Sequence, residues 1–242
     1  MEIEQTAFVL HSRPYRETSV LVTFLSPDYG KFNAVVRGVR GGKKTSAQKA
    51  ALLQPFQLLT VQWRERAHRP SDLVSLKQFE LAGLRFPLSG ESSLCGLYLN
   101  ELLYRLLFPQ VAVEALFEHY QQALYQLLSA TSRNDQAWSL RQFEYQLLSE
   151  LGQGLVCDQD LDGNLIETDV AYYFYPETGA IKAALDGLKT GIPISGECLQ
   201  SLTNTECCEA CLPALKRLFR AVLAPYLGSK PIMARALFSQ GR

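Results

Sequence analysis

From Thr6 to Glu80, apolar positions come in short runs rich in β-branched and aromatic residues: Thr6-Ala-Phe-Val-Leu10, Ser19-Val-Leu-Val-Thr-Phe24, Phe32-Asn-Ala-Val-Val36, Leu58-Leu-Thr-Val-Gln-Trp63 and Leu73-Val-Ser-Leu-Lys-Gln-Phe79. Runs of this length separated by turn formers predict strands. Ser26-Pro-Asp-Tyr-Gly30 predicts a tight connection between the second and third, since proline presets φ and glycine tolerates φ > 0. Five strands in about 80 residues predict a five-stranded Greek-key barrel, the OB-fold, with a small open sheet as the alternative.

At Ser89 the spacing turns helical. Ser89 is placed to cap a helix through Leu94, Leu97, Tyr98, Glu101 and Leu102 to Phe108, which Pro109 ends. Leu116, Tyr120, Ala123, Leu124, Leu127 and Leu128 form one stripe of a second helix. A third is predicted from about Gln136 to Leu151, ended by Gly152-Gln-Gly154. Further on, Tyr172-Tyr-Phe-Tyr175, Pro176-Glu-Thr-Gly179 and Ala180-Ile181 read as a hairpin. Leu215, Leu218, Phe219, Val222 and Tyr226 line a helix that Gly228 stops and whose other side carries Lys216, Arg217 and Arg220. The expected architecture is α+β. A barrel occupies 1–80 and a helical domain 81–154. A small mixed α/β C-terminal lobe, 155–242, packs on the helical domain.

Composition adds class limits. A chain of 242 residues that is 47% hydrophobic and 20% charged is an ordinary globular protein, not a disordered or collagen-like one. The most apolar stretch, Leu94 to Phe108, contains Asn100, Glu101 and Arg105 and is too short and too polar to cross a bilayer. Met1-Glu-Ile-Glu lacks the features of a secretory signal, so a cytoplasmic location is expected. Six cysteines do not make a disulfide scaffold, and reduced thiols are the expectation.

The zero formal charge conceals segregation: net +5 over residues 1–80, −11 over 81–210 and +6 over 211–242. Basic ends flanking an acidic middle suggest separate surfaces for separate partners, against the alternative of ordinary solvated faces. The stretch Arg37-Gly-Val-Arg-Gly-Gly-Lys-Lys-Thr-Ser46, followed by Lys49, reads as a flexible connection with five basic residues and three glycines, suited to phosphates and without sequence readout. It is not a Walker A loop: Lys44 stands where Ser/Thr holds magnesium, and Arg37 stands at the first glycine. Tyr15, Phe24, Tyr29, Phe32 and Trp63 are candidates to stack on bases, Tyr15 and Tyr29 being best placed for exposure.

Asp158-Gln-Asp-Leu-Asp-Gly-Asn-Leu-Ile-Glu-Thr-Asp169 has the spacing of a calcium loop. It ends in aspartate instead of glutamate and precedes a strand, so a solvated acidic turn is the preferred reading. Cys207-Cys208-Glu-Ala-Cys211 has one CxxC pair where structural zinc usually needs two, with Cys157 and Cys198 scattered. Histidines 11, 68 and 119 assemble no catalytic set with a local nucleophile, so no enzyme and no cofactor are expected. A metal-dependent nuclease using the aspartates and an RNA-binding barrel are the alternatives. Arg141 interrupts the stripe of Trp138, Tyr145 and Leu148. It reads either as a pocket for an acidic and aromatic peptide, which Lys189 could complete, or as one half of an intramolecular ion pair.

Four stretches occur in an order that resembles the bacterial recombination mediator family RecO over nearly the whole chain. They are Ala7-Phe-Val-Leu-His-Ser-Arg-Pro-Tyr-Arg-Glu-Thr-Ser19 continuing through Gly30-Lys31 to Val36-Arg-Gly-Val-Arg40; Leu97-Tyr-Leu-Asn-Glu-Leu-Leu103; Leu140-Arg-Gln-Phe-Glu144; and Pro225-Tyr-Leu-Gly-Ser-Lys-Pro-Ile-Met-Ala-Arg-Ala-Leu-Phe238. The resemblance implies an N-terminal OB-fold, a helical middle and a C-terminal lobe. It also implies binding of single- and double-stranded DNA, annealing of complementary strands and, with RecR, loading of RecA onto DNA coated by the single-stranded-DNA-binding protein. The acidic C-terminal tail of that protein, ending in proline and phenylalanine, would be bound by Trp138, Arg141, Tyr145 and Lys189. DNA would be met by Arg13, Arg16, Lys31, Arg37, Arg40, Lys43, Lys44 and Lys49, and by Lys216, Arg217, Arg220, Lys230 and Arg235, converging on one continuous track. The family's four-cysteine zinc module, found in many members after the helical domain, has only Cys157 among the aspartates here, so no metal is expected there.

Overall fold

The strand β1, Glu2–Tyr15, serves two neighbours in turn: residues 2–8 pair with β4 (Leu58–Arg64) and residues 8–15 with β2 (Ser19–Ser26), both antiparallel, with a register shift between Val9 and His11. A bulge of this kind bends a strand so that a sheet can curl. Strand β3 (Gly30–Val36) pairs antiparallel with β2 and parallel with β5 (Leu73–Leu81), and β5 pairs antiparallel with β4. The order β1-β2-β3-β5-β4 closes on itself as a five-stranded barrel. Alternation along β3 and β4 puts Phe32, Ala34, Val36, Val61 and Trp63 inside, where Phe24 stacks on Phe32 and Phe32 meets Trp63 at 5.0 Å between ring centroids. The computed structural model describes residues 2–41, 44–64, 73–187 and 189–240; the expectations placed on Lys43 and His68 fall outside these.

Two compact units divide the chain, residues 1–128 with 231–242, and residues 129–230. The first holds the barrel, α1 (Lys44–Leu52), α2 (Gly90–Leu106), α3 (Glu114–Ser129) and α7 (Met233–Gln240). The second holds α4 (Arg133–Glu150), the three-stranded sheet β7-β6-β8 (Gly179–Lys182, Ala171–Tyr175, Ile192–Ser195), α5 (Gly196–Thr203) and α6 (Leu212–Leu227). These units divide the chain at other places than the boundaries at 80 and 154 read from the hydrophobic spacing.

In the first unit, Phe8 of β1 lies against Phe86, Phe117 and Tyr120, at centroid distances of 5.6, 5.1 and 5.0 Å. Beneath this apolar contact, buried Asn100 donates to the Leu10 carbonyl at 2.8 Å and accepts from the Tyr120 hydroxyl, so both ends of its amide are satisfied. Gly30, at φ 61°, lets the β2–β3 turn approach residues 110–113. A Cβ there would sit 1.9 Å from the Val111 carbonyl oxygen, while Gln110 N donates to Lys31 O and Val113 N to Pro27 O. Helix α7 has its first amides, Met233 N and Ala234 N, capped by the Glu101 carboxylate of α2 at 2.9 Å each.

In the second unit, α4 starts at a capping box. The Ser132 side chain accepts from Asp135 N, and Asp135 accepts from the backbone of Ser132 and Thr131. Buried Leu215, Leu218, Phe219, Val222 and Leu223 make α6 the apolar partner of α4. Several expectations are corrected. The connection after β3 is not wholly flexible, since Ala47, Gln48, Lys49, Ala50 and Ala51 are good helix formers and build α1. Leu128 and Tyr226 are exposed ends of their stripes, not buried. The hairpin gains a third strand, β8. The thiols are not all reduced: Cys198 and Cys211 form a disulfide, because α5 brings Cys198 back to the segment before α6.

Candidate nucleic-acid interface

The β1–β2 turn and the segment after β3 meet at one end of the barrel. The Thr18 carbonyl accepts from Val39 N at 2.9 Å and Arg40 N at 3.0 Å, and Arg40 Nη1 donates to the Arg16 carbonyl at 3.0 Å. Helix α1 crosses this end. Leu53, just beyond it, and Val39 are buried in the barrel core, with Ala50 and Leu52 packed against it, while Lys44 and Lys49 face outward. Lys49 Nζ reaches back to the loop, 3.9 Å from where a Gly38 Cβ would be. Exposed Arg16, Arg37, Arg40, Lys44 and Lys49 therefore gather into one basic patch, in which Glu17 is a countercharge. Exposed Arg13, opposite Leu21 in the β1–β2 ladder, extends it along the barrel wall. Half-buried Tyr15 carries the Arg16 guanidinium 5.3 Å above its ring centroid. His11, on the Arg13 side of β1, is held below the ordinary imidazole range, first by burial and then by the Arg13 charge.

Other expected contacts are engaged elsewhere. Lys31 Nζ donates to the Tyr104 carbonyl at 2.6 Å and lies 5.6 Å from that ring, and burial lowers its pKa. Arg235 Nη2 donates to the Tyr98 hydroxyl at 3.1 Å and sits over the same ring, joining α7 to α2. Of the aromatic candidates, Phe24, Phe32 and Trp63 are core residues, and Tyr29 packs edge-on against Trp63 and Phe32. In the second unit, Lys216, Arg217 and Arg220 are exposed on α6, on the side away from its apolar face, and Lys230 is exposed beyond Gly228, whose φ is 62°.

The residues expected to hold a peptide tail lie in the second unit. Arg141 is buried. Its Nη2 donates to Glu144 Oε1 at 2.8 Å and its guanidinium carbon lies 5.7 Å from the Phe219 ring centroid, so the intramolecular ion pair forms. Its Nε, also buried, has no hydrogen-bond partner. Trp138 and Tyr145 are half-buried on the same helix, and the Tyr145 hydroxyl is pushed up by burial and by the charges of Cys157 and Asp158. Lys189 is exposed at φ 51°, its amide donating to Asp186 Oδ2 at 3.1 Å.

The acidic loop has a structural explanation. Asp160 Oδ1 accepts from Asp162 N at 3.1 Å, Asn164 N at 2.8 Å and Asn164 Nδ2 at 3.2 Å. Burial alone would raise this carboxyl, yet the hydrogen bonds hold it below its ordinary value. With Gly163 at φ 80°, buried Asp160 organises a turn. Among the described residues, the set whose ligand atoms converge for a metal is Glu197, Cys208 and Cys211, of which the sequence shows Cys208 and Cys211 as a CxxC pair but gives no sign of Glu197.

Residues 1–85 match the family described as Recombination protein O N terminal, and residues 88–235 match Recombination protein O C terminal. DNA repair protein RecO of Pseudomonas aeruginosa strain UCBPP-PA14 is 40% identical over 234 residues, covering 97% of this chain and 94% of that protein. The proteins of the same name from Nitrosococcus oceani and Pseudoalteromonas atlantica are 40% and 38% identical, covering 98% and 99% of this chain and 93% and 96% of theirs. A solved aspartyl tRNA synthetase from Entamoeba histolytica aligns at 13% identity over 69% of this chain and 38% of its own, with a TM-score of 0.27 that bears no weight. With both halves matched in order and 40% identity over nearly the full length, the chain belongs to the RecO family of DNA repair proteins.

Proposed function

We propose that the protein is a DNA-binding recombination mediator. It anneals complementary single strands and, with RecR, helps load RecA onto DNA coated by the single-stranded-DNA-binding protein, whose acidic C-terminal tail it binds. The observation that carries this reading is the basic patch of Arg16, Arg37, Arg40, Lys44 and Lys49 at one end of an OB-fold barrel in a chain of the RecO family. Arginine and lysine neutralise phosphates and release counterions whatever the sequence, so two strands that repel one another are allowed to approach and pair. No bond is broken, and base pairing itself supplies the specificity. Lys216, Arg217, Arg220 and Lys230 give the second unit its own phosphate-binding face, and we place the protein at the nucleoid, where DNA is.

For the tail, Trp138 and Tyr145 offer half-buried aromatic surface and Lys189 an exposed cation, while Arg141 is engaged by Glu144 and keeps Nε for a further acceptor. The test follows pairing of labelled complementary strands, bare or coated with the single-stranded-DNA-binding protein. Acceleration on both substrates, lost on coated DNA when the coating protein lacks its tail, is the expected result. No acceleration on either, or shortened strands in the presence of magnesium, refutes the reading.

A further inference from the structure

We infer that the second unit holds a binding site for a thiophilic divalent cation of the zinc class, built from Cys198, Cys208 and Cys211 with Glu197. It is separate from the region of Cys157, where the family's zinc module would begin, and it does not depend on the proposed function. A Glu197 carboxylate oxygen and the Sγ atoms of Cys208 and Cys211 all lie within 4.8 Å of one another, with Cys208 Sγ 3.6 Å from Glu197 Oε1. Cys198 joins them through its bond to Cys211, the two Cα atoms being 5.2 Å apart. Three thiols and a carboxylate are a complete tetrahedral donor set. Zinc–sulfur bonds of about 2.3 Å place thiolates about 3.8 Å apart, so the Cys198 and Cys211 sulfurs must part on reduction before a cation can be held by both.

The fold holds both ligand segments in place. At the start of α5, Gly196 N donates to Val170 O at 2.9 Å and Glu197 N to Thr168 O at 3.0 Å, and Gln200 Nε2 donates to Ile166 O at 2.6 Å. A Gly196 Cβ would lie 1.9 Å from the Glu167 carbonyl oxygen, so the helix start can approach this closely only with glycine there. Cys208 and Cys211 flank a 3-10 turn in which Cys211 N donates to Cys208 O at 3.0 Å, and the buried Leu212 and Leu215 of α6 follow at once. Cys207 is exposed and is not among the residues whose ligand atoms converge.

The disulfide and the metal site are alternative states of the same sulfurs. A dithiol reductant supplies two electrons and two protons to the Cys198–Cys211 bond and becomes a disulfide itself. The cation then displaces three thiol protons to solvent and bonds the three thiolates.

The full chain, reduced with a dithiol and freed of reductant and metal, is titrated anaerobically with Co²⁺ and then Zn²⁺. One equivalent of cobalt should give a near-ultraviolet thiolate charge-transfer band and strong tetrahedral visible bands, both erased by zinc. Cys208→Ser should lose stoichiometric binding, Cys207→Ser should retain it, and Glu197→Gln should shift the visible bands while keeping the charge-transfer band. A disulfide that resists the dithiol, absence of the charge-transfer band, or an unchanged spectrum in Cys208→Ser overturns the proposal. Should a variant fail to fold, the wild-type chain decides by alkylation: zinc should protect Cys198, Cys208 and Cys211 but not Cys207, and equal labelling with and without zinc refutes the site.

Discussion

Replacing Arg37, Lys44 and Lys49 together by alanine isolates the electrostatic part of DNA binding. All three side chains are exposed, and Lys44 and Lys49 lie on the outward face of α1, so their removal leaves the buried contacts of Val39 and Leu53 in place. If each neutralises one phosphate of a single strand, three contacts at about 0.7 apiece flatten the dependence of log K on log salt by about 2 units. The same product makes the loss of affinity about a hundredfold at 0.1 M salt, about 2.8 kcal/mol, shrinking toward nothing near 1 M. Fluorescence anisotropy of labelled poly-dT across a salt series measures both quantities, and thermal unfolding provides the control, with an unchanged midpoint expected. A slope equal to that of the wild type would show that these cations touch no phosphate, and the barrel end would cease to be the DNA site. A parallel loss at every salt concentration would implicate folding instead.

Tyr120→Phe leaves the buried Asn100 carbonyl oxygen without the hydroxyl proton it accepts and should cost about 1–3 kcal/mol in denaturant unfolding; an unchanged midpoint would dismiss the interaction. Arg141→Ala removes the cation paired with Glu144, whose side chain is only 1% exposed, and should lower the denaturant midpoint, so tail affinity is better probed through Trp138→Ala and Lys189→Ala. Gly30→Ala combines a positive φ with a Cβ 1.9 Å from the Val111 oxygen and should lower the melting temperature more than Gly163→Ala, which also has positive φ but meets nothing. Asp135 is held below the ordinary carboxylate range by the Thr131 backbone and hydroxyl and the Ser132 backbone, so its contribution is full above that range and is lost as pH falls through the lowered value. Asp135→Asn should therefore melt earlier than wild type at neutral pH and converge with it in acid; a constant gap would contradict the capping-box account. Burial pushes the Cys157 thiol up to about 12, so in the native protein at pH 8 it should resist iodoacetamide.

The barrel and the long helices were legible because their burial repeats at two or at about three and a half residues: Phe32, Ala34 and Val36 in β3, or Leu116, Tyr120, Ala123 and Leu127 in α3, are faces as well as spacings. What escaped reading is short or is stabilised from far away. Helix α7 is eight residues whose cap is Glu101, more than 130 positions earlier, and no local signal encodes that. Helix α5 did have one, since Ser195 accepts from Cys198 N as an N-cap residue does. The basic residues near α1 were visible as composition, but their meeting with Arg16 depends on hydrogen bonds between the β1–β2 turn and the segment after β3. Lys31 and Arg235 show the limit of reading charge alone: one anchors to a carbonyl and the other to a phenol, and neither contact leaves a local sequence signal.

The contact of α7 with α2 makes residues 129–230 an insertion within the first unit, whose two segments lie on either side of them. A ribosome making this chain finishes the inserted unit before it releases the segment that completes the first one. Nascent barrel and helices must therefore wait, until residues 233 and 234 have been made, for the helix-start amides that donate to the Glu101 carboxylate. No single cut in the polypeptide can liberate the barrel unit whole, so dissecting the protein calls for excision of the middle and rejoining of its flanks.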